Sequence, residues 1–121
     1  MATSSLTEAV FSLPEADQRG GVSLARDFAR HIALSCGYQG SHEDVVLVVN
    51  EFTTHAVCHG SGRPLVRIAG NREQLRVEVA DDAEAEPRAG SWGLQLVDQL
   101  CRSWGVAELD GQKIVWCELT A

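Results

Sequence analysis

Three polar side chains that could bind a ligand or a metal recur at four-residue intervals near the middle of the chain. They are Glu51, His55 and His59, and Cys58 lies beside the last of them. Residues four apart on a helix project from the same face, so these groups would form one polar stripe. Two histidines at this spacing can share a transition metal such as zinc. The stripe is therefore a candidate functional face, and a zinc site is one interpretation of it.

A second candidate region lies between a predicted strand and a predicted helix. Asp81 ends the strand, and Gly90 and Gly93 precede the first apolar residue of the helix, Leu94. Backbone N–H groups at the N-terminus of a helix favour an anion. The pattern predicts an anion-binding turn, and a plain loop that caps the helix is the structural alternative.

The spacing of apolar residues predicts the elements that position these groups. An amphipathic helix runs from Val22 to Cys36 and ends at Gly37, and a second helix follows the capping sequence that starts at Ser41. The second helix is apolar almost all round at its start, which places it centrally. A third helix covers 93–101, and strands cover 6–13, 64–69, 74–80, 104–109 and 113–119. This order predicts an α+β fold, an α/β two-layer sandwich with a mixed or antiparallel sheet covered by three helices.

Length and composition limit the classes of function. A chain of 121 residues is predicted to form a single domain, 1–121. Its formal net charge of −7 argues against direct nucleic-acid binding, because affinity for the phosphate backbone comes from Lys and Arg. An acidic surface is better suited to a basic protein partner.

The four cysteines and the hydropathy pattern indicate a reducing setting. Cys36, Cys58, Cys101 and Cys117 are widely separated, with no Cys-x-x-Cys spacing. The last three are predicted to pack as small apolar side chains. The chain shows no signal segment at its start and no apolar run of the ~20 residues that a membrane helix needs. A cytoplasmic protein with free thiols is therefore expected.

Three segments in this order carry a family resemblance. They are Glu-Phe-Thr-Thr-His-Ala-Val at 51–57, Val-Glu-Val-Ala-Asp-Asp at 77–82 and Gly-Ser-Trp-Gly-Leu-Gln-Leu-Val at 90–97. They resemble the motifs of the anti-sigma-factor serine kinases of the GHKL superfamily, in particular the small single-domain actinobacterial members. The resemblance covers nearly the whole chain and implies the histidine-kinase-like ATPase fold, also called the Bergerat-type fold.

The resemblance also implies a role for each motif residue. Glu51 falls where the family has the general base that prepares a hydroxyl for attack on the γ-phosphate of ATP. His55 falls where the family has the Asn that binds Mg²⁺, and Asp81 falls where an Asp accepts a hydrogen bond from the adenine amino group. The remaining positions of the implied nucleotide site are Ala83, Gly90, Gly93 and Leu94.

Several of these positions depart from the family pattern. Mg²⁺ prefers oxygen ligands in octahedral geometry, and the imidazole of His55 is a poor substitute for an Asn. Ala83 and Ala85 stand where glycines usually allow the backbone to approach the ligand. Trp92 falls in the phosphate turn, where it would stack on a ligand or plug the pocket.

Three functional hypotheses follow from the resemblance and the departures. The first is an anti-sigma-factor-like regulatory protein that binds a sigma factor or an anti-sigma antagonist, with weakened or lost ATP binding. The second is an active protein serine kinase that uses ATP and Mg²⁺. The third is a switch that binds ATP or ADP without turnover. The sequence does not identify a dimer surface, and a homodimer stays open.

Overall fold

The computed structural model describes residues 6–14, 18–59, 63–82 and 94–121. Within these ranges it contains five strands and three helices. In chain order they are β1 (Thr7–Ser12), α1 (Gln18–Ser35), α2 (His42–His59), β2 (Leu65–Gly70), β3 (Gln74–Asp81), α3 (Leu94–Leu100), β4 (Ser103–Leu109) and β5 (Gln112–Thr120).

The five strands form one antiparallel sheet with the order β1-β2-β3-β5-β4. The prediction of an α+β fold is confirmed, and the sheet is antiparallel rather than mixed. β1 lies at one edge of the sheet and β4 lies at the other. All three helices pack on the same sheet, with α2 against β3, α1 against β1 and β2, and α3 against β4. None of the described helices is both long enough and apolar enough to cross a lipid bilayer.

α1 packs along α2 through the apolar stripe that its sequence predicts. Ala25, Ala29 and Ala33 are fully buried, and their small side chains allow the two helices to approach closely. Gly37 ends the helix with a positive φ of 70°, a conformation that favours glycine. The N–H of Tyr38 then donates to the carbonyl oxygen of Ala33 at 3.1 Å, which closes the helix end.

α2 is the central helix. Ser41 caps its start, because the N–H of Asp44 donates to the Ser41 Oγ at 3.2 Å. Val45, Val48 and Phe52 are buried, and the helix contacts α1, α3 and β3. This packing explains why the sequence of α2 is apolar almost all round at its start.

Alternation along the two inner strands builds the sheet side of the core. Leu75, Val77 and Val79 of β3 face the helices, as do the apolar side chains of β5 that pair with them. Cys117 is fully buried among them, and Cys101 is partly buried. Cys58 is exposed on α2, so the prediction that it packs in the core is wrong.

Trp116 lies on the face of the sheet that is opposite to the buried side chains of β5. The sequence predicts it in or near the core, and the structure corrects this. Its ring lies on Gly105, the residue that pairs with it in β4, and the Arg76 guanidinium carbon is 4.5 Å from the ring centroid. Glu78 and Glu118 accept hydrogen bonds from Arg76 at 2.8 and 2.7 Å. The outer face of the sheet therefore carries the stacked ring of Trp116.

Trp104, by contrast, is partly buried against the core.

The contact between Gly105 and Trp116 gives a stability prediction. A Cβ at position 105 would lie 2.9 Å from Trp116 Cζ2, which is closer than real side chains approach. We expect Gly105→Ala to lower the free energy of unfolding by about 1–3 kcal/mol, because the ring must leave its position. Urea unfolding measures the change.

The matched control is Gly105→Ala in a Trp116→Ala background. With the ring removed, alanine should be neutral or stabilising in a strand, because glycine weakens strand interiors. A similar loss of stability in both backgrounds would contradict the proposed contact.

Candidate functional site

A buried ion pair occupies the end of β3. Asp81, the last residue of β3, pairs in register with Lys113 of β5. The side chain of Asp81 is 2% exposed and that of Lys113 is 3% exposed. The Lys113 Nζ lies 4.0 Å from the Asp81 Oδ1. Both side chains lie on the helix-covered face, because they continue the alternation of the inward apolar residues on their strands.

The pairing of these charges has an energetic cause. An isolated charge is costly to bury, and an opposite charge nearby offsets part of that cost. Lys113 is the only lysine of the chain. Its ammonium group pairs with Asp81, whose carboxylate the resemblance assigns to adenine recognition.

Lys113 is not among the site residues that the motifs predict. The signal was present in the alternation of β5, since Lys113 is two residues before Val115 and four before Cys117. Residues at these spacings share one face of a strand. Local sequence patterns do not reveal that β3 pairs with β5. This pairing brings Lys113 opposite Asp81.

Glu51 and His55 lie one turn apart on α2, as predicted. His55 is buried, with 9% of its surface exposed, whereas Glu51 is half-buried. The neighbouring Asn50 accepts a hydrogen bond of 2.7 Å from the Nη1 of Arg26, which fixes this part of α2 against α1. Since α2 packs on β3, the helix stripe and Asp81 belong to the same side of the sheet.

The donor set of this stripe does not fit Mg²⁺. His55 offers an imidazole nitrogen in a buried position, where a hard cation requires several oxygen ligands and water. Among the side chains that the structure describes, no three His, Cys, Asp or Glu residues gather around a point that would hold a metal ion. The side chain of His59, which the zinc interpretation also requires, lies outside the described part of the chain.

The predicted phosphate end of the site is only partly within the described ranges. Ala83, Gly90 and Gly93 lie outside them, as does Trp92. Leu94 is the first residue of α3, and its side chain lies outside them. The structure therefore gives the positions of Glu51, His55 and Asp81, while their roles in a site and the turn stay predictions.

Two further acidic residues lie at this end of the sheet, on the strands next to Lys113 and Asp81 or at their ends. Glu108 pairs with Lys113 in register on β4, and Asp82 follows Asp81. The Oδ1 of Asp82 accepts a hydrogen bond of 3.3 Å from the Nε2 of Gln112. Among the described residues at this end of the sheet, the carboxylates of Asp81, Asp82 and Glu108 outnumber the ammonium of Lys113, and this balance disfavours a triphosphate.

The buried pair gives a second stability prediction. Lys113→Met removes the ammonium and leaves the carboxylate of Asp81 buried without it, so we expect a loss of about 3 kcal/mol in the free energy of unfolding. The double variant Asp81→Asn with Lys113→Met removes both charges and should recover most of that loss. Urea unfolding at neutral pH measures both.

An exposed ion pair supplies the control for this change. The Arg30 Nη1 lies 3.5 Å from the Asp27 Oδ1, and these side chains are 52% and 69% exposed. Arg30→Met should change stability by less than about 1 kcal/mol, because water screens the pair. Equal effects of Arg30→Met and Lys113→Met would contradict a buried pair.

Comparison with known proteins does not assign the chain to a family. No protein-family model matches the chain, and no curated protein matches its sequence. The chemistry of the site and the resemblance of its motifs are therefore the grounds on which a function rests.

Proposed function

We propose that this chain is an anti-sigma-factor-like regulatory protein that acts by binding a protein partner, with an ATP site that is weakened or lost. The partner would be a sigma factor or an anti-sigma antagonist. The observation that carries the proposal is the buried pair of Asp81 and Lys113. In this pair, the carboxylate that the resemblance assigns to adenine recognition interacts with the ammonium of Lys113 instead.

The order of elements supports the family assumed in this proposal. Two helices follow the first strand, a hairpin follows them, and a third helix precedes the closing hairpin. The three helices pack against one five-stranded antiparallel sheet, an α+β architecture that is compatible with the fold that the resemblance implies. The Bergerat-type fold is therefore part of the proposal, and the α+β architecture is its structural support.

Adenine recognition would disrupt a favourable arrangement. The adenine amino group is a neutral donor, whereas Lys113 is a cation whose charge attracts the Asp81 carboxylate across 4.0 Å in a buried site. Displacing Lys113 from Asp81 would leave an ammonium buried away from its carboxylate, which costs several kcal/mol. A nucleotide has to offset that cost before any net binding appears.

The surface supports a protein partner. The chain carries a net charge of −7, which favours association with a basic surface. Large apolar side chains also remain exposed on the two edge strands, where Val10 of β1 is 49% exposed and Leu109 of β4 is 61% exposed. Strands at a sheet edge offer unpaired backbone groups to a partner.

Partner binding without nucleotide is the direct test of this proposal. The purified protein is titrated calorimetrically with the sigma factors and anti-sigma antagonists encoded by its own genome. We expect one of them to bind with micromolar affinity or better. Mg-ATP should change the Kd of this complex by less than about twofold, because a nucleotide that does not bind cannot alter the affinity for the partner.

The kinase hypothesis makes the opposite prediction for the same mixture. Transfer of phosphate from ATP to the antagonist, abolished by Glu51→Ala, would contradict the proposal and establish an enzyme with Glu51 as its base. Glu43→Ala is the matched control, because it removes an exposed carboxylate from the first turn of the same helix.

The nucleotide-switch hypothesis is tested by restoring the site. His55→Asn supplies an amide oxygen at the position that the resemblance assigns to the metal ligand, and Lys113→Thr removes the ammonium that pairs with Asp81. We expect the double variant to bind Mg-ATP at least about tenfold more tightly than the original chain, a difference of about 1.4 kcal/mol. Calorimetry with and without Mg²⁺ measures both affinities.

The control for that experiment replaces an exposed histidine instead. His31→Asn combined with Lys113→Thr makes the same chemical changes but leaves His55 in place. If the variant with His55→Asn gains no affinity over this control, the metal position is not what prevents nucleotide binding.

A further inference from the structure

The outer face of the sheet, which carries Trp116, also carries an apolar row that crosses four strands. Leu65 of β2 lies opposite Ala80 of β3 in the sheet register. Ala80 lies opposite Ile114 of β5, and Ile114 lies opposite Ala107 of β4. Paired residues of neighbouring strands share a face, and the first three alternate with buried valines, so all four point away from the helices. We call Leu65, Ala80, Ile114 and Ala107 the apolar row.

A hollow of about 250 Å³ lies over this row. Leu65, Ala80 and Ile114 line it, and so does Leu109 of β4, which is 61% exposed. Ala80 is small and lies between two larger side chains on the adjacent strands, which leaves room above it. Four of the seven residues that line the hollow are apolar, so it can accept an apolar side chain from another molecule.

No helix that the structure describes covers this face. α1 and α3 both contact α2, and the buried side chains of the strands face that helix layer. Val10 of β1 lies on the same outer face as the apolar row, opposite Arg67, and is 49% exposed. Contiguous apolar surface that is open to water marks an interaction site on a folded domain. The outer face is therefore a candidate interface.

Within the five strands, the charged side chains of the outer face pair with one another. The Arg67 Nη1 lies 2.8 Å from the Glu8 Oε1, and Arg76 donates hydrogen bonds to both Glu78 and Glu118. Two arginines against three glutamates give the strands a formal charge of −1 on this face, out of −7 for the chain. A strongly charged partner therefore meets few unpaired charges here, whereas a second acidic copy meets little repulsion.

The size of the face suits an interface between two copies. Neighbouring strands lie about 4.8 Å apart and each residue adds about 3.3 Å, so five strands of six to nine residues cover roughly 24 Å by 24 Å. Two such faces in contact would bury about 1,150 Å², and specific interfaces begin at about 1,000 Å². This area fits a weak, reversible dimer.

We propose that the outer face is a homodimer interface in which two copies pack their apolar rows together across a two-fold axis. A two-fold interface brings the same patch of both copies into contact, so the patch must be complementary to itself. An apolar centre whose neighbouring charges are already paired meets that condition, and two sheets packed face to face form a sandwich. The inference rests on the outer face alone and is independent of the proposed regulatory function.

Sedimentation velocity of the full chain over a range of concentrations tests the inference. We expect a reversible monomer–dimer equilibrium with a Kd of about 1–100 μM, in keeping with the modest area of the face. A chain that stays monomeric well above this range would overturn the proposal, whichever other partner the face then binds.

Two matched variants test which face is used. Leu109→Lys places a charge beside the hollow, whereas Leu34→Lys makes the same change at a residue of α1 that is 71% exposed in the helix layer. We expect Leu109→Lys to raise the Kd of the dimer at least about tenfold, and Leu34→Lys to leave it within about twofold. The reverse pattern, or equal effects, would contradict the proposed face. Ala107→Lys, an exposed member of the apolar row on the edge strand, is the second variant and should act like Leu109→Lys.

The salt dependence separates an apolar interface from one held by ion pairs. Each copy has a net charge of −7, so long-range repulsion opposes association and added salt screens it. Raising sodium chloride from about 20 to about 200 mM should therefore lower the Kd several-fold. Weakening of the dimer by salt would contradict the proposal, because it would indicate ion pairs between the copies.

Hydroxyl-radical footprinting distinguishes a second copy from a segment of the same chain. Trypsin cleaves after Lys113, so oxidation of Trp116 is measured in peptide 114–121. We expect Trp116 to be oxidised several-fold more slowly above the Kd than below it. Equal rates at both concentrations would overturn the proposal, since a face that the chain itself covers is protected in the monomer as well.

Discussion

Burial of α2 between the sheet and the other two helices is the constraint on which the rest of the structure depends. One helix contacts α1, α3 and β3, so its side chains must be apolar on several sides. That requirement fixes its rotation, which places His55 inside and leaves Glu51 half-buried. It also confines polar groups on this side of the sheet to positions where another group can offset their charge.

Asp81 and Lys113 meet that requirement by pairing with each other. The carboxylate that the resemblance assigns to adenine pairs with an ammonium, and a buried imidazole stands where the resemblance expects the metal ligand. In the proposed function, both features weaken nucleotide binding, and the apolar packing of the core remains as a scaffold for binding a protein.

Much of the fold is predictable from the sequence because it follows from local periodicity. The strand of 74–80 and the helix that ends at Gly37 are found where alternation and glycine place them, although α1 begins at Gln18 rather than at Val22. The prediction of Trp116 in or near the core was wrong, although the alternation of this residue with the buried Val115 and Cys117 indicates the outer face. The ion pair was not predictable in this way, because it depends on β5 lying beside β3.

Calorimetric titration of the purified chain with ATP and ADP, each with and without Mg²⁺, tests the central claim most directly. The account predicts no detectable heat of binding up to millimolar nucleotide and no effect of Mg²⁺, because Lys113 already pairs with the carboxylate that the resemblance assigns to adenine. Micromolar binding that depends on Mg²⁺ would contradict it, and would show that the site still handles nucleotide despite the buried pair.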